Sequence, residues 1–151
     1  MAAPLLQAQI DIDAPVGKVW NLVSDFSRMP EWSPQCRRMK LRGPLQAGTR
    51  TSNLNRRGFL FWPTSAKLTE VTPEKKLSFV IKENGTEWSY ELEPTEGGTR
   101  LTESRRADNG ISSISAFLQR TVFGGVDGFE DELVDGMKAS LSRIKAAAER
   151  R

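Results

Sequence analysis

Between Ile10 and Pro34 the sequence reads IDIDAPVGKVWNLVSDFSRMPEWSP, and within this run the hydrophobic period changes abruptly. Upstream of Pro15, Leu6, Ala8, Ile10 and Ile12 alternate with Gln7, Gln9, Asp11 and Asp13, the pattern of a strand with one buried face. Proline bars the preceding residue from the helical region but suits a first helical position, so a helix is expected to open at Pro15. Val16, Val19, Trp20 and Val23 then recur at helical spacing and form one apolar stripe. A turn over Ser24 to Ser27 and the run Pro30, Trp32, Pro34 close the unit. A strand that feeds an amphipathic helix needs an apolar surface to receive it, and the rest of the chain must supply that surface.

The period stays near two after this unit. Cys36 to Leu41 reads as a short strand closed by Gly43-Pro44, and Gly48 to Asn55 as one that is polar on both faces. Arg57-Gly58 is a turn candidate. The strand from Phe59 to Val71 carries Leu60, Trp62, Thr64, Ala66 and Leu68 on one face, and Pro63 marks an edge, a bulge or a break within it. Leu77, Phe79 and Ile81 alternate next, and Asn84-Gly85 is a hairpin signal. Trp88, Tyr90 and Leu92 alternate with glutamates and serine, Gly97-Gly98 marks another hairpin, and Thr99, Leu101, Glu103 and Arg105 share one face of the last strand. The count is about seven strands, mostly joined by hairpins, and hence an antiparallel sheet.

Beyond Asn109-Gly110 the pattern is helical. Ile114, Phe117, Leu118, Thr121 and Val122 form a first stripe, and Gly124-Gly125 interrupts it as a kink or a hinge. From Asp127 to Glu149, Phe129, Leu133, Met137, Leu141, Ile144 and Ala148 recur every three to four residues. Such a helix is roughly 34 Å long at about 1.5 Å per residue, enough to lie across a curved sheet.

The chain of 151 residues is read as one domain, 1–151, and its 38% hydrophobic and 27% charged residues are those of a soluble globular protein. No apolar run approaches the roughly 20 residues that span a bilayer, so no integral membrane association is expected. MAAPLLQAQI lacks the features of a signal peptide, and the single Cys36 fits a reducing, cytoplasmic location. The net charge is +3, with the basic pairs Arg37-Arg38, Arg56-Arg57, Arg105-Arg106 and Arg150-Arg151 scattered, so no nucleic-acid partner is expected. The absence of histidine excludes Ser-His-Asp and Cys-His nucleophile systems and His/Cys zinc sites. Any catalysis has to run on carboxylates, Tyr90, lysine, arginine or water. No cofactor and no metal is expected.

The order strand, two short helices, about six antiparallel strands and a long C-terminal helix is the helix-grip arrangement. Ala14-Pro15, Val19-Trp20, Asp25-Phe26 and Trp32-Ser33-Pro34, in this order, resemble the opening of the START-like SRPBCC superfamily, in its polyketide cyclase/dehydrase-like, lipid-transport branch. GGTRLTES, Gly97 to Ser104, resembles that family's penultimate hairpin and last strand. The resemblance spans nearly the whole chain. It implies an α+β helix-grip fold, in which a curved antiparallel sheet wraps a long C-terminal helix. It also implies a cavity between sheet and helix that in relatives holds an apolar or aromatic small molecule. Because the superfamily includes lipid carriers, aromatases and hormone receptors, the resemblance specifies fold more than activity.

Several residues can line that cavity or simply fill it: Trp88, Tyr90, Phe129, Leu133 and Met137, with Phe117 near the Gly124-Gly125 break and Trp32 near the cavity's end. Glu103 and Arg105 either bind the polar end of a ligand or position a proton donor, or they sit at the sheet's end, in water or paired with each other. Asn53, with Thr51 and Asn55, either offers hydrogen bonds to a ligand or keeps an edge strand polar. Buried Cys36 is expected to be structural. In GFLFWP, Phe59 and Phe61 share one face and Leu60 and Trp62 the other. The segment is a lid, a strand buried on both sides, or a surface for a membrane, a partner or a homodimer. The functional expectation is binding, transport or sequestration of a small hydrophobic or aromatic molecule, such as a lipid or polyketide-like metabolite. An aromatase/cyclase or dehydratase is the alternative, and an interaction protein with a filled interior a third.

Overall fold

The computed structural model describes residues 5–83, 85–107 and 126–150, with side chains in the last helix from residue 131 onward. Strand β1 spans Leu5–Ile12 and helix α1 spans Val16–Val23. Pro15 is the residue before the helix, not its first: it is extended at φ −64°, ψ 152°, and its carbonyl accepts from the amides of Lys18 and Val19. Asp25 then caps a 3₁₀ turn, Phe26–Arg28, by accepting from the Ser27 amide at 3.2 Å, and helix α2 follows at Met29–Trp32. The expected stripe is buried through Val19, Trp20 and Val23, joined by Leu22.

Strands β2 (Cys36–Leu41), β3 (Arg50–Arg57), β4 (Leu60–Thr72), β5 (Lys76–Ile81), β6 (Glu87–Thr95) and β7 (Gly98–Arg106) form an antiparallel meander. β1 pairs with β7, so the sheet order is β1-β7-β6-β5-β4-β3-β2 and the sheet curves around the last helix, α3 (Val126–Glu149). The α+β helix-grip architecture is therefore the one the sequence implies. Phe117 and the Ile114 to Gly125 segment lie outside the described residues, as does the Phe129 side chain.

Two local features differ from the sequence expectation. Arg57 pairs with Leu60, so the β3–β4 turn is Gly58-Phe59 and Phe59 belongs to the turn, not to the strand. The polar strand β3 is not an edge: it lies between β2 and β4. Pro63 is tolerated in β4 because β5 pairs with β4 only from Ala66 onward; opposite Leu54, Pro63 has a strand partner on one side alone.

The corner between β1 and α1 depends on Gly98. A Cβ there would lie 2.1 Å from the Ile12 carbonyl oxygen and 2.9 Å from the Ala14 nitrogen. The next residue, Thr99, is fully buried and donates to the Ala14 carbonyl at 2.9 Å. The core lies between sheet and helices, with Val19, Leu68, Leu77, Leu101, Leu141 and Ile144 at its centre. Burying each such side chain stabilises the fold by about 1.5–3 kcal/mol. Phe26 meets Phe79 edge to face at 6.1 Å. Helix α3 packs on β1, α1 and α2, and hydrogen bonds from its C-terminal half hold it there. Ser140 and Arg143 donate to the Trp32 carbonyl at 3.0 and 3.1 Å, while Lys145 donates to the Asp11 carbonyl at 2.9 Å. Among the described residues, no helix is long and apolar enough to cross a membrane.

Candidate functional site

Alternation along each strand sends every second side chain to the concave side of the sheet, and helix α3 does not fill all the space those side chains enclose. A mostly apolar cavity of about 450 Å³ remains. Its sheet wall is built from Cys36 and Met39 on β2, Asn53 and Asn55 on β3, Trp62 and Thr64 on β4, and Phe79 and Ile81 on β5. Trp88 and Tyr90 on β6 and Glu103 and Arg105 on β7 complete it. Met29 of α2 closes one side, and Leu133, Gly136, Met137 and Ser140 form the helical side, spaced as one face of α3. The β6–β7 register sets Tyr90 directly opposite Glu103, and Trp88 directly opposite Arg105. Two aromatic side chains and two charged-type side chains thus form one square on the wall.

That square holds the site's chemistry. Glu103 is 5% exposed, and among the described residues its Oε1 has no hydrogen-bond partner. Burial pushes its carboxyl up to about 8, opposed only by the interaction with Tyr90. The Tyr90 phenol is held well above its ordinary range by burial and then by Glu103, and its hydroxyl points to the Met29 sulfur at 3.9 Å. At neutral pH Glu103 is therefore a neutral acid, with a proton to donate and an oxygen to accept. Arg105, 1% exposed, brings a guanidinium to the same wall. The surface alternative for this pair does not hold, because both side chains are buried.

The opposite polar wall differs. Thr51 donates to Asn53 at 2.8 Å, and Asn53 and Asn55 both donate to the Thr64 hydroxyl, at 3.2 and 2.9 Å. These groups satisfy one another, so β3 brings polarity to the cavity without an unmet demand. Cys36 also lines the cavity, with its thiol raised to about 11 by burial. Arg57 grips Glu132 with two hydrogen bonds, Nε at 2.7 Å among them, and so ties the β3–β4 hairpin to α3 at the cavity's rim.

Of the residues singled out from sequence, Asn53, Trp62, Trp88, Tyr90, Glu103, Arg105, Leu133 and Met137 line this cavity. Trp32 does not. Its ring is 2% exposed in the core beneath the Arg28 guanidinium, 5.1 Å away, and its carbonyl anchors α3. Phe117 and the Phe129 side chain lie outside the described residues. Sequence reasoning missed Met29, Met39, Phe79, Ile81 and Ser140. The inward alternation of Phe79 and Ile81 with Leu77 was available as a signal, and so was the spacing of Gly136 and Ser140 from Leu133. Met39 is hidden by the β-bulge between Cys36 and Arg38. Among the described residues, no cluster of carboxylates and cysteine could hold a metal ion.

A seven-stranded antiparallel sheet gripping a C-terminal helix, with a cavity between them, defines a helix-grip domain. The chain belongs to the family described as polyketide cyclase/dehydrase and lipid transport, whose model matches residues 4–149. Among solved structures it is similar to a polyketide-cyclase-like protein of Corynebacterium glutamicum, with 25% identity, TM-score 0.67, and 96% of this chain and 91% of that one covered. It shares its fold with the Zhui aromatase/cyclase of a Streptomyces species, at 13% identity and TM-score 0.72 over 97% and 94% of the two chains. It also shares it with the di-domain aromatase/cyclase StfQ of the steffimycin pathway, at 17% identity and TM-score 0.75. There 97% of this chain covers 50% of the other, so the chain spans half the length of that protein. No curated protein matches the sequence.

Proposed function

We propose that the protein binds a small hydrophobic or aromatic molecule in the cavity and that Glu103 reads the molecule's polar end. The observation that carries this is a buried Glu103 that lines about 450 Å³ of mostly apolar space and whose Oε1 has no hydrogen-bond partner among the described residues. Small-molecule sites have this composition: a volume of roughly 300–1,000 Å³, apolar walls and a few convergent polar groups. A ligand carbonyl or hydroxyl meets the neutral carboxyl, and the Arg105 guanidinium favours partial negative charge on that end. The Asn53–Thr64–Asn55 wall, already satisfied, contributes shape and not a demand for a partner. A cavity of this size also tells against an interaction protein with a filled interior.

A second reading is supported by the same carboxyl. A neutral acid held near pH 8 beside Tyr90 is suited to proton donation, and two structural relatives are aromatase/cyclases. The two readings share the binding step and part only at turnover.

Titration with an apolar fluorescent probe such as 1-aminoanthracene tests the binding step. Saturable one-to-one binding is expected for the native chain. Ala139 also lines the cavity, and Ala139→Trp, which drives an indole into it from α3, is expected to abolish binding with the fold retained by circular dichroism. Equal probe binding by the two proteins would place the site elsewhere and remove the proposal.

A further inference from the structure

The β3–β4 hairpin ends in apolar side chains that the described residues leave uncovered. Its turn, Gly58-Phe59, has positive φ at the glycine (+63°) and not at the phenylalanine, the pattern of a type II′ turn. Phe59 is 100% exposed, and Phe61 (55%), Leu60 (39%) and Leu54 (38%) are exposed around it. The Ser65 carbonyl accepts from the Lys82 amide at 2.9 Å and β5 pairs with β4 from Ala66 onward, so among the described residues the segment Leu60 to Thr64 is carried by β3 alone and overhangs the sheet. A tight apolar cluster at a projecting tip is an interaction surface, unlike scattered surface leucines.

The charge around the tip is of one sign. From Trp32 to Thr69 the sequence holds eight of the chain's 22 basic residues and none of its 19 acidic ones. Folding brings this stretch into three adjacent strands. On the face opposite the cavity, Arg38 pairs with Leu54, Lys40 with Ser52, Arg50 with Lys67 and Arg56 with Phe61. All five basic residues are exposed. The neighbouring acids are engaged at the margins, Glu83 by the Ser65 amide and Glu132 by Arg57.

We propose that this face, led by Phe59 and Phe61 at the hairpin tip, docks on an anionic lipid surface. The order of chemistry matches the order of a bilayer interface: apolar side chains foremost, cations directly behind them at the level of the phosphates. The Arg56 guanidinium lies 5.3 Å over the Phe61 ring, so a cation accompanies the ring that enters the headgroup layer. Nucleic acid is the poorer fit: Phe59 and Phe61 offer rings on which bases stack, but Leu54, Leu60 and Pro63 beside them do not. Trp62, between Phe61 and Pro63, lines the cavity, so docking brings the rim of the cavity to the membrane. The proposal stands whether or not the cavity is occupied.

The test is co-sedimentation with vesicles of phosphatidylcholine mixed with phosphatidylserine and with vesicles of phosphatidylcholine alone. Binding to the anionic vesicles, weakened by added salt, is expected. Phe59→Ser with Phe61→Ser should weaken it by about tenfold or more. Arg38→Gln with Arg56→Gln should weaken it by about fivefold for each cation removed. Thermal melts confirm that both variants are folded. The proposal is overturned if the native chain ignores anionic vesicles or if the phenylalanine variant binds them equally. Preference for a single-stranded oligonucleotide over the vesicles would reassign the face to nucleic acid. Sedimentation equilibrium showing a dimer that the phenylalanine variant dissolves, without vesicle binding, would reassign the tip to a contact between copies of the chain.

Discussion

Replacing Glu103 by glutamine removes one ionisable proton from the cavity wall and leaves the shape almost unchanged. In the unfolded chain this carboxyl ionises near its ordinary value of 4.5, whereas in the fold burial holds it protonated up to about 8. Between those two values the native state binds one more proton than the unfolded state. Stability therefore falls as pH rises through the window, by about 1.4 kcal/mol per unit. The accumulated loss is about 3 kcal/mol at pH 7 and about 4 kcal/mol near pH 8, beyond which it levels off. Glutamine cannot ionise, so Glu103→Gln escapes the loss. Relative to its value near pH 5, where about 0.8 kcal/mol of the loss has already accrued, the difference in Tm between variant and native chain should grow in the variant's favour by roughly 5–10 °C at pH 7. Calorimetric melts of both proteins across this range measure it. Any fixed difference between an amide and an acid in hydrogen bonding shifts both ends equally and drops out. A Tm difference that stays constant with pH would refute the reasoning. It would mean that Glu103 is ionised in the fold, as the partner of a charged Arg105.

Cys36, its thiol raised to about 11 by burial, should alkylate with iodoacetamide at least ~100-fold more slowly in the native chain than in denaturant, followed by mass spectrometry. Rapid native labelling would show that solvent reaches the thiol through the cavity. Gly98→Ala places a methyl group against the Ile12 and Ala14 backbones and should destabilise the fold by ~3 kcal/mol or more in urea unfolding. Leu141→Ala, at a position 1% exposed on α3, should cost about 2–5 kcal/mol; a loss below about 1 kcal/mol would contradict the packing of α3 on the sheet.

The elements with a strong period were legible in the sequence. The strand before Pro15, the α1 stripe, the alternation of Trp88, Tyr90 and Leu92, and the long C-terminal stripe each depend on local spacing, and each forms as expected. The direction in which Glu103 and Arg105 point was legible for the same reason. Their burial was not, because charged residues at the end of a strand are solvated unless distant elements close over them. Here α2, β2 and α3 do so from far along the chain. The β3 polarity looked like protection of an edge because its hydrogen-bond partner, Thr64, sits on the neighbouring strand and cannot be assigned without register. With Arg57-Gly58 read as the turn, Phe59 is the first residue of the next strand. Gly58, taking positive φ as the first residue of the turn, moves Phe59 into the turn instead. The basic pairs appear scattered when read linearly, since the property that matters is the absence of acids from Trp32 to Thr69, a stretch that folds into neighbouring strands.

The claim on which the rest depends is that the cavity holds a ligand. Native mass spectrometry of freshly purified protein, beside the same sample denatured, measures this directly. The account expects an adduct on the native chain that is released on denaturation and is missing from Ala139→Trp. A native chain that carries the protein mass alone, and that also fails to take up an apolar probe, would contradict it.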